Sequence, residues 1–121
     1  RYGVRVMLHS CGAIRELIPD FIEMGIDILN PIQVRAEGMR PAELKKDFGD
    51  MLSFHGSIDI QQTLPQGGPE DVRAEVRDRI QMLGKNGGFI LCTTHNIQAD
   101  TPIENILAIY DEAKRFRHRG L

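Results

Sequence analysis

Apolar residues fall along this chain in two alternating rhythms: short β-rich runs, and longer stretches spaced at three and four residues. Val4 to Leu8, Ile26 to Asn30, Met51 to His55 and Phe89 to Thr93 read as strands, the first of them buried. Each is followed by a helical pattern. After the first, Ile14, Leu17, Ile18, Phe21 and Ile22 keep the spacing of one buried helix face. Pro19 lies inside that pattern and removes a helical hydrogen bond, which predicts a kink or a restart near Ile18, with Gly25 as the stop. After the second, a loop leads to a short helix from Pro41, well suited to a first helical position, to Phe48, stopped by Gly49.

The third strand runs into Gly56-Ser57-Ile58-Asp59 and a loop with Pro65, Gly67 and Gly68, the longest irregular region predicted. Pro69 then opens a helix whose Val72, Val76, Ile80 and Leu83 form an apolar stripe ended by Gly84. After the fourth strand, Thr101-Pro102-Ile103-Glu104 has the spacing of a capping box with proline at the first helical position. Ile106, Leu107, Tyr110 and Ala113 are expected to be that helix's buried face, while Glu104 and Asn105 belong to its start. The basic run Arg115 to Arg119 suits the negative end of the helix dipole and reads as solvated surface.

Strand and helix alternating four times predict an α/β fold: four successive βα units with parallel strands and right-handed crossovers, in a single domain over residues 1–121. Such a set is either a small open sheet or half of an eight-unit barrel. The polar residues separate the two. His9 and Cys11, Asn30 and Gln33, His55 and Asp59, and Cys92 and His95 all fall at C-terminal strand ends, where both architectures carry their sites. A barrel brings four tips around one mouth, whereas an open sheet spreads them along an edge. The half barrel is the expectation.

At 121 residues, 41% apolar and 26% charged with a formal charge of −2, the chain has the make-up of a soluble globular domain and lacks the basic excess of a nucleic-acid binder. No apolar run approaches the roughly 20 residues needed to span a bilayer. Cys11 and Cys92 both sit at ends of apolar strands, which suits a reducing compartment and predicts a cytoplasmic location. The chain opens on Arg1 and enters a strand at once, so it is expected to be a fragment.

The chemistry concentrates at Leu8-His9-Ser10-Cys11-Gly12. In an extended chain, residues two apart point the same way, so the His9 imidazole and the Cys11 thiol aim together at a strand end. Two soft ligands there are the beginning of a metal or catalytic site. Alone they are also compatible with a satisfied histidine–cysteine pair in the core.

His9-Ser10-Cys11-Gly12, Gly25-Ile26-Asp27-Ile28-Leu29-Asn30, Gly56-Ser57-Ile58-Asp59, Gly88-Phe89-Ile90-Leu91, His95-Asn96-Ile97 and Pro102-Ile103-Glu104-Asn105-Ile106 together resemble the uroporphyrinogen decarboxylase superfamily. The resemblance covers nearly the whole chain and implies the C-terminal half of a (β/α)8 TIM barrel. The superfamily holds uroporphyrinogen decarboxylases and zinc-dependent corrinoid methyltransferases. The methyltransferase branch carries His-x-Cys plus a distant cysteine as its zinc ligands. Here His9 and Cys11 match, but the register of the last strand puts His95 where that cysteine would stand, with Cys92 three residues earlier.

Catalytic zinc usually has three protein ligands, and the resemblance implies His9, Cys11 and His95, with Cys92 competing for the third position. Residues 92 and 95 have opposite parity, so both face inward only if the strand breaks at Thr93-Thr94. On this reading zinc holds a thiol acceptor as thiolate and a partner protein brings the corrinoid. The chain is then part of a methyltransferase.

The decarboxylase branch, a carboxy-lyase of porphyrin biosynthesis, uses neither metal nor cofactor, and His95 matches its histidine. Asp59 and His55 are supporting groups on either reading, with Asp59 also among the catalytic candidates and also a natural loop cap. Asn30, Gln33 and His55 are candidate substrate contacts, although Asn30-Pro31 also reads as a plain strand-ending turn. A third expectation is an inactive half barrel serving as an interaction module, its open inner face covered by a missing N-terminal half or by a second copy in a homodimer.

Overall fold

Leu8, Leu29, Phe54 and Phe89 stand side by side across four parallel strands, and that row fixes which face of the sheet meets the helices. The computed structural model describes residues 2–117. Within it, β1 (Met7–His9), β2 (Ile28–Asn30), β3 (Ser53–Ile58) and β4 (Phe89–Thr93) form one sheet in sequence order. The helices are α1 (Ile18–Glu23), α2 (Pro41–Phe48), the short α3 (Thr63–Gln66), α4 (Pro69–Leu83) and α5 (Ile103–Arg117). This is the α/β arrangement of four βα units that the apolar rhythm predicts.

Several local expectations hold for the physical reasons given. A 3-10 turn over Arg15–Leu17 gives way to α1 at Ile18, with Pro19 in the first turn, where its missing N–H costs nothing. Pro41 opens α2 and the chain leaves it at Gly49. Val72, Val76, Ile80 and Leu83 of α4 are all buried.

The apolar core has two parts. One gathers Ile14, Ile18, Leu29, Ile32, Met39, Leu44, Leu52, Phe54 and Leu83 under α1 and α2. The other lies between the sheet and the α4–α5 pair, with Ile58, Leu64, Val72, Val76, Ile80, Ala108 and Ile109.

Other expectations are corrected. The first strand is shorter than Val4 to Leu8 and is not buried: Met7 is exposed on the open face opposite Leu8, and Val4 and Val6, which share the parity of Leu8, precede the strand and are exposed as well. The second begins at Ile28 rather than Ile26, and the third continues through Gly56 and Ser57 to Ile58. The region foreseen as an irregular loop contains α3.

On α5 the buried apolar residues are Ala108 and Ile109, whereas Leu107 and Tyr110, assigned to the core by spacing, are more than half exposed. Polar anchors set that rotation. Asn105 is buried and its Nδ2 donates to the carbonyls of Leu64 and Gly67, so it ties α5 to α3 rather than capping its own helix. Glu112, also buried, pairs with Arg77 of α4 and with Arg115. The Thr101 hydroxyl finds no hydrogen-bond partner, so the expected capping box is not formed. Arg115 is exposed as foreseen, and residues 118 and 119 of the basic run lie outside the described residues.

Candidate functional site

Every strand of the sheet sends a side chain to one cavity. His9 from β1, Asn30 from β2, His55 from β3 and Cys92 and Thr93 from β4, together with Thr94, His95 and Asn96 just beyond it, line a space of about 210 Å³. His9, Asn30, His55 and Cys92 lie on the face opposite the Leu8, Leu29, Phe54 and Phe89 row, each standing an odd number of residues from the row's member on its own strand. The four tips surround one mouth, as half-barrel curvature requires.

From Cys11, which lies outside the cavity lining, the polar groups form a continuous chain through His9 and Asn30 to His55. The Cys11 Sγ lies 3.4 Å from His9 Nε2. His9 Nδ1 lies 2.6 Å from Asn30 Oδ1, and Asn30 Nδ2 lies 2.6 Å from His55 Nδ1. Burial lowers the His55 pKa, which keeps its imidazole neutral. Behind it Gly56 takes φ +101°, with Pro31 Cβ and the Thr93 carbonyl each 3.2 Å from where a Cβ would stand. Glycine is needed there for both space and conformation.

Cys92 and His95 both reach the cavity despite their opposite parity, because the strand does break after Thr93. The Thr93 hydroxyl donates to the His95 carbonyl at 2.6 Å and closes a tight bend, while Thr94 N–H still donates to the Ile58 carbonyl. The His95 ring thereby stands 6.1 Å from that of His9, centroid to centroid.

Gln33 and Asp59 lie elsewhere. Gln33 lines a separate shallow groove with Cys11, Gly12, Arg35, Ala36 and Gln61. Asp59 is buried and its carboxylate accepts from the N–H groups of Gln61, Gln62 and Thr63 and from Arg35 Nε at 2.6 Å. Burial alone would raise its pKa, but the Gln61 and Thr63 N–H groups and the Arg35 guanidinium outweigh burial and hold it below the ordinary carboxylate range. It lines neither the cavity nor the groove. Sequence reasoning passed over Arg35, Thr94 and Asn96. Only the nearness of Asn96 to His95 was a signal; an arginine in an unpatterned loop carries none.

The donor set can be tested against zinc. Tetrahedral zinc with Zn–S about 2.3 Å and Zn–N about 2.05 Å separates a sulfur and a nitrogen ligand by about 3.5 Å. Cys11 Sγ and His9 Nε2, at 3.4 Å, fit two adjacent ligand positions. Among the described residues no group of three His, Cys, Asp or Glu side chains is gathered closely enough to hold a metal. His95 and Cys92 are the nearby donors for a third position.

Comparisons with known proteins bear on the family. The model of the family described as uroporphyrinogen decarboxylase (URO-D) matches residues 1–116. A Methanosarcina mazei protein named methylated-thiol–coenzyme M methyltransferase is 30% identical over 102 residues, 84% of this chain. A solved structure of a methyltransferase from Methanosarcina mazei superposes with a TM-score of 0.75 over 95% of this chain at 22% identity, a likeness of fold. The chain spans 25% of the length of the first relative and 32% of the second. No helix among the described residues is long and apolar enough to cross a membrane.

Proposed function

The chain belongs to the uroporphyrinogen decarboxylase family, and from that premise we propose a methyltransferase-like member in which His9 and Cys11 hold zinc and a methyl group passes from a corrinoid to a thiol or similar acceptor. The observation that carries this reading is the 3.4 Å approach of Cys11 Sγ to His9 Nε2 beside a cavity lined by all four strands. The name of the methyltransferase relative supports it. Zinc, when bound, would supply the Lewis acidity that keeps a substrate thiol as thiolate at neutral pH, the form that attacks a methyl group.

The chain's own residues do the rest. His95 is the preferred third ligand, ahead of Cys92, because its imidazole already stands against His9. Asn30 and His55 form the polar floor of the cavity. Gln33, in the groove that Cys11 also lines, is suited to contact the body of the substrate, and Asp59 serves by holding Arg35 beside it. The partner protein carrying the corrinoid would dock over the mouth. Another half barrel or a second copy would cover the open inner face, where Met7 and Ile90 are exposed. Cys11 and Cys92 are free thiols, in keeping with a cytoplasmic protein.

A decarboxylase reading is the alternative, favoured by His95 standing in the cavity with His9 and His55, where it would orient a substrate without metal. Elemental analysis of the purified chain, run with its mass in solution, decides between them. Equimolar zinc, and methyl transfer from methylcobalamin to a small thiol once partner segments are supplied, are the expected results. A folded chain that takes up no zinc when offered it sinks the methyltransferase reading.

A further inference from the structure

We infer that Asn30 is a positioning residue: it fixes His9 as the Nδ1–H tautomer and so turns an unprotonated Nε2 toward Cys11, with His55 orienting the amide. Asn30 Oδ1, 2.6 Å from His9 Nδ1, can only accept, so His9 carries its proton on Nδ1. A neutral imidazole has one ring proton, and Nε2 is therefore bare where it meets Cys11 Sγ at 3.4 Å.

At the other end of the amide, Nδ2 can only donate. His55 Nδ1, 2.6 Å away, must then be the bare nitrogen of a neutral ring. An asparagine amide can be reversed without changing its shape, and a second contact settles its sense. The backbone carbonyl of His55 lies 3.5 Å from the same Nδ2, and a carbonyl can only accept. The His55 carbonyl therefore calls for the NH2 end, His55 Nδ1 accepts from the same group, and the oxygen is left for His9. Burial, which lowers the His55 pKa, keeps that ring in the neutral form the arrangement needs.

The contacts of the Asn30 side chain thus run to two histidines: its oxygen to the His9 ring and its NH2 group to the ring and backbone carbonyl of His55. That assigns Asn30 to the aiming of His9 rather than to substrate. The inference rests on the proposed metal site only for the use to which Nε2 is put; the tautomer itself does not depend on metal. In the metal-free chain the bare Nε2 accepts from the Cys11 thiol, and the same two atoms would hold zinc.

Nitrogen-15 NMR of histidine-labelled, metal-free full chain at pH 8 reads the tautomer directly. The expected result is His9 protonated at Nδ1 and His55 protonated at Nε2. Asn30→Asp keeps the acceptor and should keep the Nδ1–H form of His9. Asn30→Ala and, as a variant that keeps an aromatic ring without nitrogen, His55→Phe should each shift His9 toward Nε2–H.

Zinc affinity should fall about 10- to 100-fold in Asn30→Ala, with Asn30→Asp retaining most of it. A wild-type His9 protonated at Nε2, or an Nδ1–H form that persists in both Asn30→Ala and His55→Phe, overturns the inference. A wild-type chain with His9 Nδ1–H that binds no zinc overturns the metal reading and leaves this one standing. Zinc uptake by a chain whose metal-free His9 is Nε2–H does the reverse.

Discussion

His9 and His95 meet edge to face, their ring planes inclined at 78° and their centroids 6.1 Å apart, although they belong to opposite edges of the sheet. On a flat sheet, two strands three places apart lie roughly 14 Å from each other. The contact exists because the sheet curls and because the bend after Thr93 swings His95 inward. If this pair supplies two of three zinc ligands, His95→Ala should weaken zinc more than Cys92→Ser does. Competition against a chelating dye measures both, and the reverse order would make Cys92 the third ligand.

Replacing Cys11 with serine should remove stoichiometric zinc and leave the fold unchanged. Cys11 is exposed and packs against no core cluster, so its loss should change unfolding stability by no more than about 0.5 kcal/mol. Metal analysis and urea denaturation of the same preparation check the two halves. Full zinc in Cys11→Ser would remove this residue from the site.

His55 makes stability depend on pH in a predictable direction. Its folded-state pKa lies below the ordinary value because burial disfavours the imidazolium. The unfolded chain therefore binds the proton more readily. Stability should be fully present above about pH 6.5 and decline as pH falls from there through the folded-state pKa. His55→Gln should flatten that part of the profile relative to wild type. Urea midpoints at pH 8, 7, 6 and 5 test this, and parallel profiles for the two proteins would exclude His55 as the cause.

Gly56→Ala should destabilise the chain by about 1–3 kcal/mol, the range for an ordinary residue forced into such a backbone conformation. At φ +101° the new methyl meets Pro31 and the Thr93 carbonyl, so two neighbouring strand ends would also have to give. Because those ends carry Asn30 and the His95 bend, cavity geometry should change with stability. The measurement is equilibrium unfolding paired with the His9 tautomer signature.

Asn105→Ala leaves the Leu64 and Gly67 carbonyls without their donor in a buried junction between α3 and α5. A cost of about 1–3 kcal/mol is expected from unfolding curves. An unchanged midpoint would mean that water takes over both bonds.

What was legible in the sequence was what short-range periodicity controls. The α4 stripe, the span of β4, the restart at Ile18 and the gathering of polar residues at strand ends each depend on spacing or on proline and glycine, and the half-barrel preference followed from them. The rotation of α5 was not legible, because Ile106, Leu107 and Tyr110 compete with Ala108, Ile109 and Ala113 as an apolar face. Buried Asn105 and Glu112 decide the matter through partners on other elements. The joint access of Cys92 and His95 was legible only as a condition, since a side-chain hydrogen bond from Thr93 sets the bend. The pairing of Cys11 with His9 was legible from their spacing, but its continuation through Asn30 to His55 crosses to two further strands and has no local signature.

Because each strand contributes one wall to the cavity at its C-terminal end, the two rims of the sheet differ in how much alteration they bear. The exposed turn from Lys85 to Gly88 lies on the opposite rim and holds none of those walls. Extra residues inserted there would enlarge the outline of the molecule while the His9, Asn30, His55 and His95 geometry stays as it is. The same insertion between Thr93 and His95 would unmake the site at one stroke, so grafting and labelling belong on the first rim and redesign of chemistry on the second.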